Sequence, residues 1–447
     1  MRLLLISIDG FAAFYWRDPR VKAPTLRRLA ERGVVADRME TVFPSTTWPT
    51  HVSIVTGLSP AAHGVVGNHV LNRERRATED LTGDPIYDAA DLLRAPALHD
   101  RAFAAGRITA AVDWPATRRS PSLHFNLPFF KDQRVFETQT DPRVWAELRE
   151  RGYPLERQGE WAQLPKRFLK DAMVADVAAD VWTRRRPDLF LTHFLCADSL
   201  QHLHGPRSPE AYWAIEYIDG LIGRLVSALG DALDRDTTVA VVSDHGFLPV
   251  THTVRINAHL ARLGVLATDA AGRPAGDARF VMNHGAGYVY ALREGGAGPA
   301  LARELAGLEG VARVWEPAGY DALGLPRPEA HAQVGDLLLE AEEGYSFVDD
   351  ADGDLVGPPR YLGTHGQLGT RPDNGAFFLA AGAGIARGKS LGAISSRDVA
   401  PTLARLLALP DAPAEGRVLD AALLQDATHG LDPTGGGRTW RRRRRAG

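Results

Sequence analysis

The chain has 447 residues, 24% of them charged and 45% hydrophobic, with a net charge of −3. That balance belongs to an ordinary globular protein and gives no global drive towards nucleic acid or an anionic membrane; the length calls for one large α/β domain with insertions, or two domains. A single cysteine, Cys196, excludes an intramolecular disulfide and fits a reducing compartment, and no run of about 18 apolar residues offers a membrane span.

Arg2 to Ile8 is apolar on both faces, as a buried central strand is, and ends in Asp9-Gly10. Its apolar run is too short for a secretory leader and no small-residue cleavage site follows, so the expected location is cytoplasmic. Pro24 to Gly33 reads as a short amphipathic helix closed by glycine, and Val34 to Met39 as a strand. The stretch Pro44-Ser45-Thr46-Thr47-Trp48-Pro49 then breaks into an apolar helix, with Pro49 expected at its first position. A hydroxyl placed there, Thr47 above all, caps a helix or meets a phosphoryl group in the field of unpaired N–H groups.

Leu58 to Ala97 is loop-rich and expected to drape over the surface; a helix over Leu98 to Gly106 and a strand over Ile108 to Val112 follow. Trp114 to Lys166 has no clear period and is expected to be an insertion near the substrate. The helix Arg167 to Arg184 leads to a buried strand, Asp188 to Cys196, which ends at Asp198; the helix Pro209 to Leu229 leads to the strand Thr237 to Val242, which ends at Asp244-His245-Gly246. Val254 to Leu362 turns rich in Gly and Ala and reads as an inserted cap, before the strand Ala376 to Ala381 and the helix Arg397 to Leu407. The expected organisation is a discontinuous catalytic domain (1–253 and 363–425), a cap (254–362), and a disordered basic tail (426–447). Alternating strands and helices imply a mostly parallel central sheet covered on both faces.

Ligands of open α/β sheets bind beyond the carboxyl ends of the strands, where Asp9, Asp198 and Asp244 stand. Asp198 and His202 share a helix face, Asp244 and His245 share a turn, and His365 lies in the glycine-flanked loop Gly363-Thr364-His365-Gly366. Carboxylates and imidazoles without thiolates suit Zn²⁺, Mn²⁺ or Fe²⁺, and this many donors suit two ions better than one. Two ions about 4 Å apart stabilise the entering and leaving oxygens of an in-line displacement, and a threonine hydroxyl needs such activation to be a nucleophile. His193 reads as a satisfied core residue, Asn68 as structural, His51 and His63 as local hydrogen-bonding groups, and Cys196 as an inert thiol. No arginine stands beside Thr47 in the sequence, which leans towards diester substrates.

The ordered set Asp9-Gly10, Pro44-x-x-Thr47-Trp48-Pro49, Ser53-Ile54-Val55-Thr56-Gly57-Leu58, His63-Gly64, Asp198-x-x-x-His202, Asp244-His245-Gly246 and Gly363-x-His365-Gly366 resembles the alkaline phosphatase superfamily, in particular its type I phosphodiesterase/nucleotide pyrophosphatase branch. The resemblance runs from residue 1 to about 410 and includes Asp398 to Leu403. It implies an alkaline-phosphatase-like fold and a phospho-Thr47 intermediate. It further implies one Zn²⁺ on Asp9, Thr47, Asp244 and His245 and another on Asp198, His202 and His365. Trp48 would line the substrate pocket, and Thr50 replaces an asparagine that the resemblance assigns to a phosphoryl oxygen. The function so implied is hydrolysis of the phosphodiester or pyrophosphate bond of a small-molecule phosphoester, with a nucleotide among the candidate substrates, no stable nucleic-acid complex and no membrane. Phosphomonoester or phosphonoacetate-type hydrolysis on the same site is the alternative, followed by metal or polyanion binding without catalysis through the arginine tail.

Overall fold

The computed structural model describes residues 1–82, 87–269 and 273–424, so the expected basic tail (426–447) lies outside the described residues. In chain order the principal strands are β1 (Arg2–Ile8), β2 (Gly33–Val35), β3 (Thr109–Val112), β4 (Phe125–Leu127), β5 (Leu189–Phe194), β6 (Thr237–Val242), β7 (Ala278–Asn283), β8 (Ala286–Ala291), β9 (Val311–Trp315), β10 (Leu337–Ala341), β11 (Phe378–Gly382) and β12 (Lys389–Ser390). The principal helices are α1 (Pro24–Glu31), α2 (Thr47–Thr56), α3 (Arg167–Arg185), α4 (Cys196–His204), α5 (Pro209–Leu229) and α6 (Val399–Leu406).

Eight strands form the central sheet in the order β12–β2–β11–β6–β1–β5–β3–β4. β1 pairs in parallel with β5 and β6, while β11 runs antiparallel to both β6 and β2. The continuous apolar run of β1 follows from its central place. Leu4, Ile6 and Ile8 join a core with α3 and α5, whereas Leu3 and Leu5 join a core with α2 and α6 on the opposite face. Each such side chain withdrawn from water contributes about 1.5–3 kcal/mol, so both layers hold β1 in register. The mostly parallel α/β architecture expected from the sequence is the one observed.

A second sheet, β7–β8–β10–β9, is antiparallel throughout and occupies the region expected to be a cap. The segment Leu248–Val254 pairs with Gly344–Phe347 and also with Gly363–Thr364, so both expected cap boundaries fall within one small sheet. Phe43, Val66, Val70 and Leu71 pack with Tyr288, Tyr290 and Leu338 in a shared core.

Three local expectations are corrected. The segment 58–97 is not draped over the surface. It contains the hairpin of His69–Asn72 with Ala77–Asp80, and its Val65, Val66, Val70, Leu71 and Leu81 are buried because their apolar faces complete the cap core and the packing under Trp48. The strand expected over Val34 to Met39 divides into β2 and Arg38–Glu40, which belong to different sheets. Helix α2 begins at Thr47, so Pro49 stands within the first turn rather than at the first position. No helix among the described residues is long and apolar enough to cross a membrane.

Candidate metal centre and cavity

Three adjacent strands deliver acidic groups to one end of the sheet. Asp9 follows β1, Asp244 and His245 follow β6, and Asp198 and His202 lie one turn apart on α4 just after β5. The chain can turn at Gly10 because its φ is +69°, and a Cβ there would come 2.9 Å from the Phe247 ring. The Gly10 N–H donates to Asp244 Oδ1 at 3.0 Å, tying the ends of β1 and β6 together.

The donor atoms converge. His245 Nε2 lies 3.2 Å from Asp9 Oδ1 and 3.3 Å from Asp244 Oδ2, and His202 Nε2 lies 3.1 Å from Asp198 Oδ1. His365 Nε2 is 3.8 Å from the same Asp198 oxygen, and its ring stacks on His245 at 3.6 Å. The Nδ1–H groups of His202, His245 and His365 donate to the carbonyls of Gly363, Gly246 and Ser45 at 2.9, 3.0 and 3.1 Å. A carbonyl only accepts, so each ring turns its Nε2 towards the carboxylates.

That arrangement fits divalent cations. Asp9 Oδ1, Asp198 Oδ1, Asp244 Oδ2 and His245 Nε2 are buried without a hydrogen-bond partner among the described residues. Burial, then the Asp198 charge, pushes Asp9 up; burial, then the Asp9 charge, pushes Asp244 up. Burial opposes charge on His245, yet Asp244 and Asp9 raise it to about 9. Burial also works against Asp198, but His202, His245 and Arg167 hold its carboxyl well below the usual range. His365 is kept neutral by burial and then by the charge of His245, the form in which imidazole binds metal. Four groups among the described residues have ligand atoms within 4.8 Å of one another: Asp9, Asp244 and His245; Asp198, His245 and His365; His202, His284 and His365; and His51, His193 and Asp244. The first three bring all six expected ligand side chains together.

Thr47 opens onto the same centre. It shares a cavity of about 210 Å³ with Asp9, Trp48, Asn68, Asp198, His202, His284 and His365. Trp48 does both things a large aromatic can: it packs with Val52, Val65 and Phe129, and it lines the cavity. Thr50 is not placed for the phosphoryl contact expected of its position. It is wholly buried inside α2, its hydroxyl has no partner among the described residues, and it is absent from the cavity wall. The donor beside the Thr47 hydroxyl is Asn68, whose Oδ1 accepts the Trp48 N–H at 2.8 Å while its Nδ2 approaches Thr47 Oγ1 at 3.5 Å. Helix α2 places that backbone N–H and hydroxyl side by side, so one amide addresses both.

Other residues missed by sequence reasoning surround this pair. Arg167 and Lys131 line the cavity, although neither is near Thr47 in the chain; Arg167 reaches Asp198 Oδ2 at 3.4 Å and Lys131 bonds Asp80 at 2.9 Å. The absence of a sequence-adjacent arginine therefore said nothing about cationic groups in the site. His193 is not a satisfied core residue, because its Nε2 has no hydrogen bond among the described residues and lies 3.2 Å from Asp9 Oδ2. His51 bonds the Thr47 carbonyl and the Ser7 hydroxyl, His63 bonds Ser53, and His204 is far more exposed than the expected ligands.

Comparison with known proteins agrees with this picture. The family model described as type I phosphodiesterase / nucleotide pyrophosphatase matches residues 3–368. An uncharacterized pyrophosphatase/phosphodiesterase of Schizosaccharomyces pombe is 27% identical over 435 residues, covering 93% of this chain and 78% of its own. Mouse ectonucleotide pyrophosphatase/phosphodiesterase family member 1 is 27% identical over 248 residues, which are 54% of this chain but only 24% of that protein. Among solved structures, murine ectonucleotide pyrophosphatase/phosphodiesterase 5 superposes with a TM-score of 0.71 at 21% identity, over 94% of this chain and all of that one. An inactive threonine-to-alanine variant of the same murine protein, in complex with AMP, gives 0.70 at 20% identity over 93% and 97% of the two chains.

Proposed function

We propose, from the premise that this chain belongs to the type I phosphodiesterase / nucleotide pyrophosphatase family, that it is a metal-dependent hydrolase of phosphodiester or pyrophosphate bonds acting through Thr47. The observation that carries the reading is the shared cavity: a threonine hydroxyl at a helix start, an amide beside it, and facing clusters of unpartnered carboxylate and imidazole atoms. One ion would be held by Asp9, Thr47, Asp244 and His245, and the other by Asp198, His202 and His365, with Zn²⁺ the best match to the donor set and Mn²⁺ or Fe²⁺ the alternatives. When bound, such ions lower the pKa of a coordinated hydroxyl and offset charge on phosphoryl oxygens.

The chain's own residues account for the rest. Thr47 gives its hydroxyl proton to solvent and Oγ1 attacks phosphorus; a bond from Oγ1 to phosphorus forms as the bond to the leaving oxygen breaks, and that oxygen takes a proton from solvent. Water then attacks phosphorus, the Oγ1–phosphorus bond breaks, Oγ1 takes up a proton from that water to restore the Thr47 hydroxyl, and the phosphoryl product leaves. The Asn68 amide, held by the Trp48 N–H, is placed to donate to a phosphoryl oxygen beside Oγ1. Trp48 and Phe129, with ring centroids 6.3 Å apart, offer an aromatic wall suited to a base, and a solved relative holds AMP, so a nucleotide is the substrate class we favour.

Arg167 and Lys131 in the cavity favour a second reading, in which the substrate carries more negative charge than a diester, on the phosphoryl group of a phosphomonoester or on the carboxylate of a phosphonoacetate. Zinc-loaded protein assayed side by side on a bis-aryl phosphate, a nucleoside triphosphate, a phosphate monoester and phosphonoacetate separates the two. Thr47→Ala should lose turnover on every substrate while retaining metal; full activity in that variant would overturn the mechanism. The cytoplasmic location we propose rests on the single, buried Cys196, and cell fractionation tests it.

A further inference from the structure

We propose that His284, at the tip of the cap hairpin between β7 and β8, is a further protein ligand of the metal centre, completing the group of Asp198, His202 and His365. The inference rests on the metal-dependent reading above and extends it to a residue outside the motifs that identify the family. Its starting point is a backbone anomaly. His284 has φ +62°, in the left-handed region that a residue with a side chain adopts only against strain. The neighbouring Gly285 could have taken that conformation without strain, so the turn alone does not require an imidazole there.

The tip is held from both sides, which makes the strained placement a fixed one. Asn283 Oδ1 accepts the N–H groups of Asn68 and His69 at 2.7 and 3.1 Å, and its Nδ2 donates to the His69 carbonyl at 2.9 Å. On the other side the Gly285 N–H donates to the His365 carbonyl at 2.7 Å, and the Phe347 N–H donates to the His284 carbonyl at 2.9 Å. The approach is close enough that a Cβ on Gly366 would fall 2.3 Å from the Asn283 carbonyl oxygen. The hairpin tip is thus wedged between the loop that carries Asn68 and the loop that carries His365.

So wedged, the His284 ring faces the other imidazoles. Its centroid lies 5.0 Å from that of His202 and 4.4 Å from that of His365, and a ligand nitrogen from each of the three rings lies within 4.8 Å of the others. His202 and His365 spend their Nδ1–H groups on backbone carbonyls, so both present bare Nε2 lone pairs inward, towards Asp198 Oδ1. A third imidazole joining two lone pairs and a carboxylate oxygen makes a convergence of acceptors that a single divalent cation can satisfy at once. The resulting three-imidazole, one-carboxylate set differs from the carboxylate-rich set of Asp9, Asp244 and His245, so the two ions should differ in affinity. It also brings a ligand from the cap to an ion otherwise held by α4 and the His365 loop.

The test is metal binding, separate from turnover. His284→Gly keeps the backbone conformation and removes the imidazole; His284→Asn tolerates the same conformation and keeps a polar group. Zinc content per chain and competition against a chromophoric chelator are measured for both variants and the wild type, together with the visible absorption of the Co²⁺-substituted proteins. The proposal expects two ions in the wild type, at least a tenfold loss of affinity for one of them in each variant, and an altered Co²⁺ spectrum, with an unchanged melting midpoint of the chelated proteins. Two ions bound at wild-type affinity and with a wild-type spectrum in both variants would overturn the assignment of His284 and leave the metal-dependent reading intact. Variants that keep both ions but lose AMP binding would also overturn it, in favour of a substrate contact. A wild type that binds no divalent metal at all would overturn both readings.

Discussion

Asn68 meets two demands with one side chain, and the two can be separated. Its carbonyl oxygen secures the Trp48 N–H and its amide nitrogen faces Thr47 Oγ1. Asn68→Asp keeps the acceptor and replaces the donor with negative charge, whereas Asn68→Ala removes both. Loss of a single hydrogen-bond donor to developing phosphoryl charge costs about 10²–10³ in kcat. We expect Asn68→Asp to lose at least that much rate while keeping its melting midpoint close to wild type, and Asn68→Ala to lose rate and also melt earlier. A wild-type kcat in Asn68→Asp would show that the amide does not touch the reacting phosphoryl group. At this scale the strand-end acidic groups were legible because residue type and position agree: Asp9, Asp198 and Asp244 each follow an apolar run. Asn68, Arg167 and His284 were not, because each reaches the cavity through a fold that brings distant segments together. For His284 one signal was present, an Asn-His-Gly turn between the alternating runs of β7 and β8.

Among the elements, α4 matters most, since it carries both Asp198 and His202, and its start is held by a side chain from another helix. Asp171 on α3 accepts the N–H groups of Leu195 and Cys196 at 2.8–3.0 Å, replacing a local cap. Removing that carboxylate in Asp171→Ala leaves buried donors unpaired, each at about 1–3 kcal/mol, and should lower both the unfolding midpoint and the metal affinity of the Asp198 site. Burial pushes the Asp171 carboxyl up to about 6, against bonds from Leu195 and Cys196 that pull it down. Between the ordinary carboxylate value and about 6 the folded state therefore holds more protons than the unfolded state, so this group's contribution to stability falls as pH rises through that window. Chemical denaturation of wild type and Asp171→Asn from pH 4 to 7 should show the wild type losing about 2–3 kcal/mol relative to the variant; a flat difference would contradict the perturbed carboxyl. The same comparison of elements explains which were readable. β1, β5 and β6 are apolar on both faces because they are covered on both, and α3 and α5 show helical periodicity against that sheet. The segment from 58 to 97 hid its hairpin because its apolar residues are completed by the cap, more than two hundred residues away, and no local pattern reports such a partner.

The whole molecule is arranged so that a buried sheet forms its centre and its periphery is joined at the site. Asp9, Asp198 and Asp244 sit at the ends of, or just beyond, strands buried in the central sheet, whereas Thr47, Asn68, His284 and His365 arrive on a helix start, a loop, a hairpin tip and a second loop. The second group is interlocked through Asn283, Gly285 and the His365 carbonyl, but it rests on far fewer strand hydrogen bonds than β1. A ligand that binds only the folded state stabilises it by about 4 kcal/mol at a thousand times its Kd, and that stabilisation is felt first where local opening is easiest. Chelation should accordingly lower the melting midpoint and speed amide exchange in three separated stretches: around 65–69, around 283–286 and around 363–366. The amides of β1 should change little at the same temperature, because opening them requires the whole sheet. Exchange that quickens equally in β1 and in the hairpin would mean that metal loss unfolds the domain as one unit. Unchanged exchange in all three stretches would mean that no metal joins the cap to the sheet.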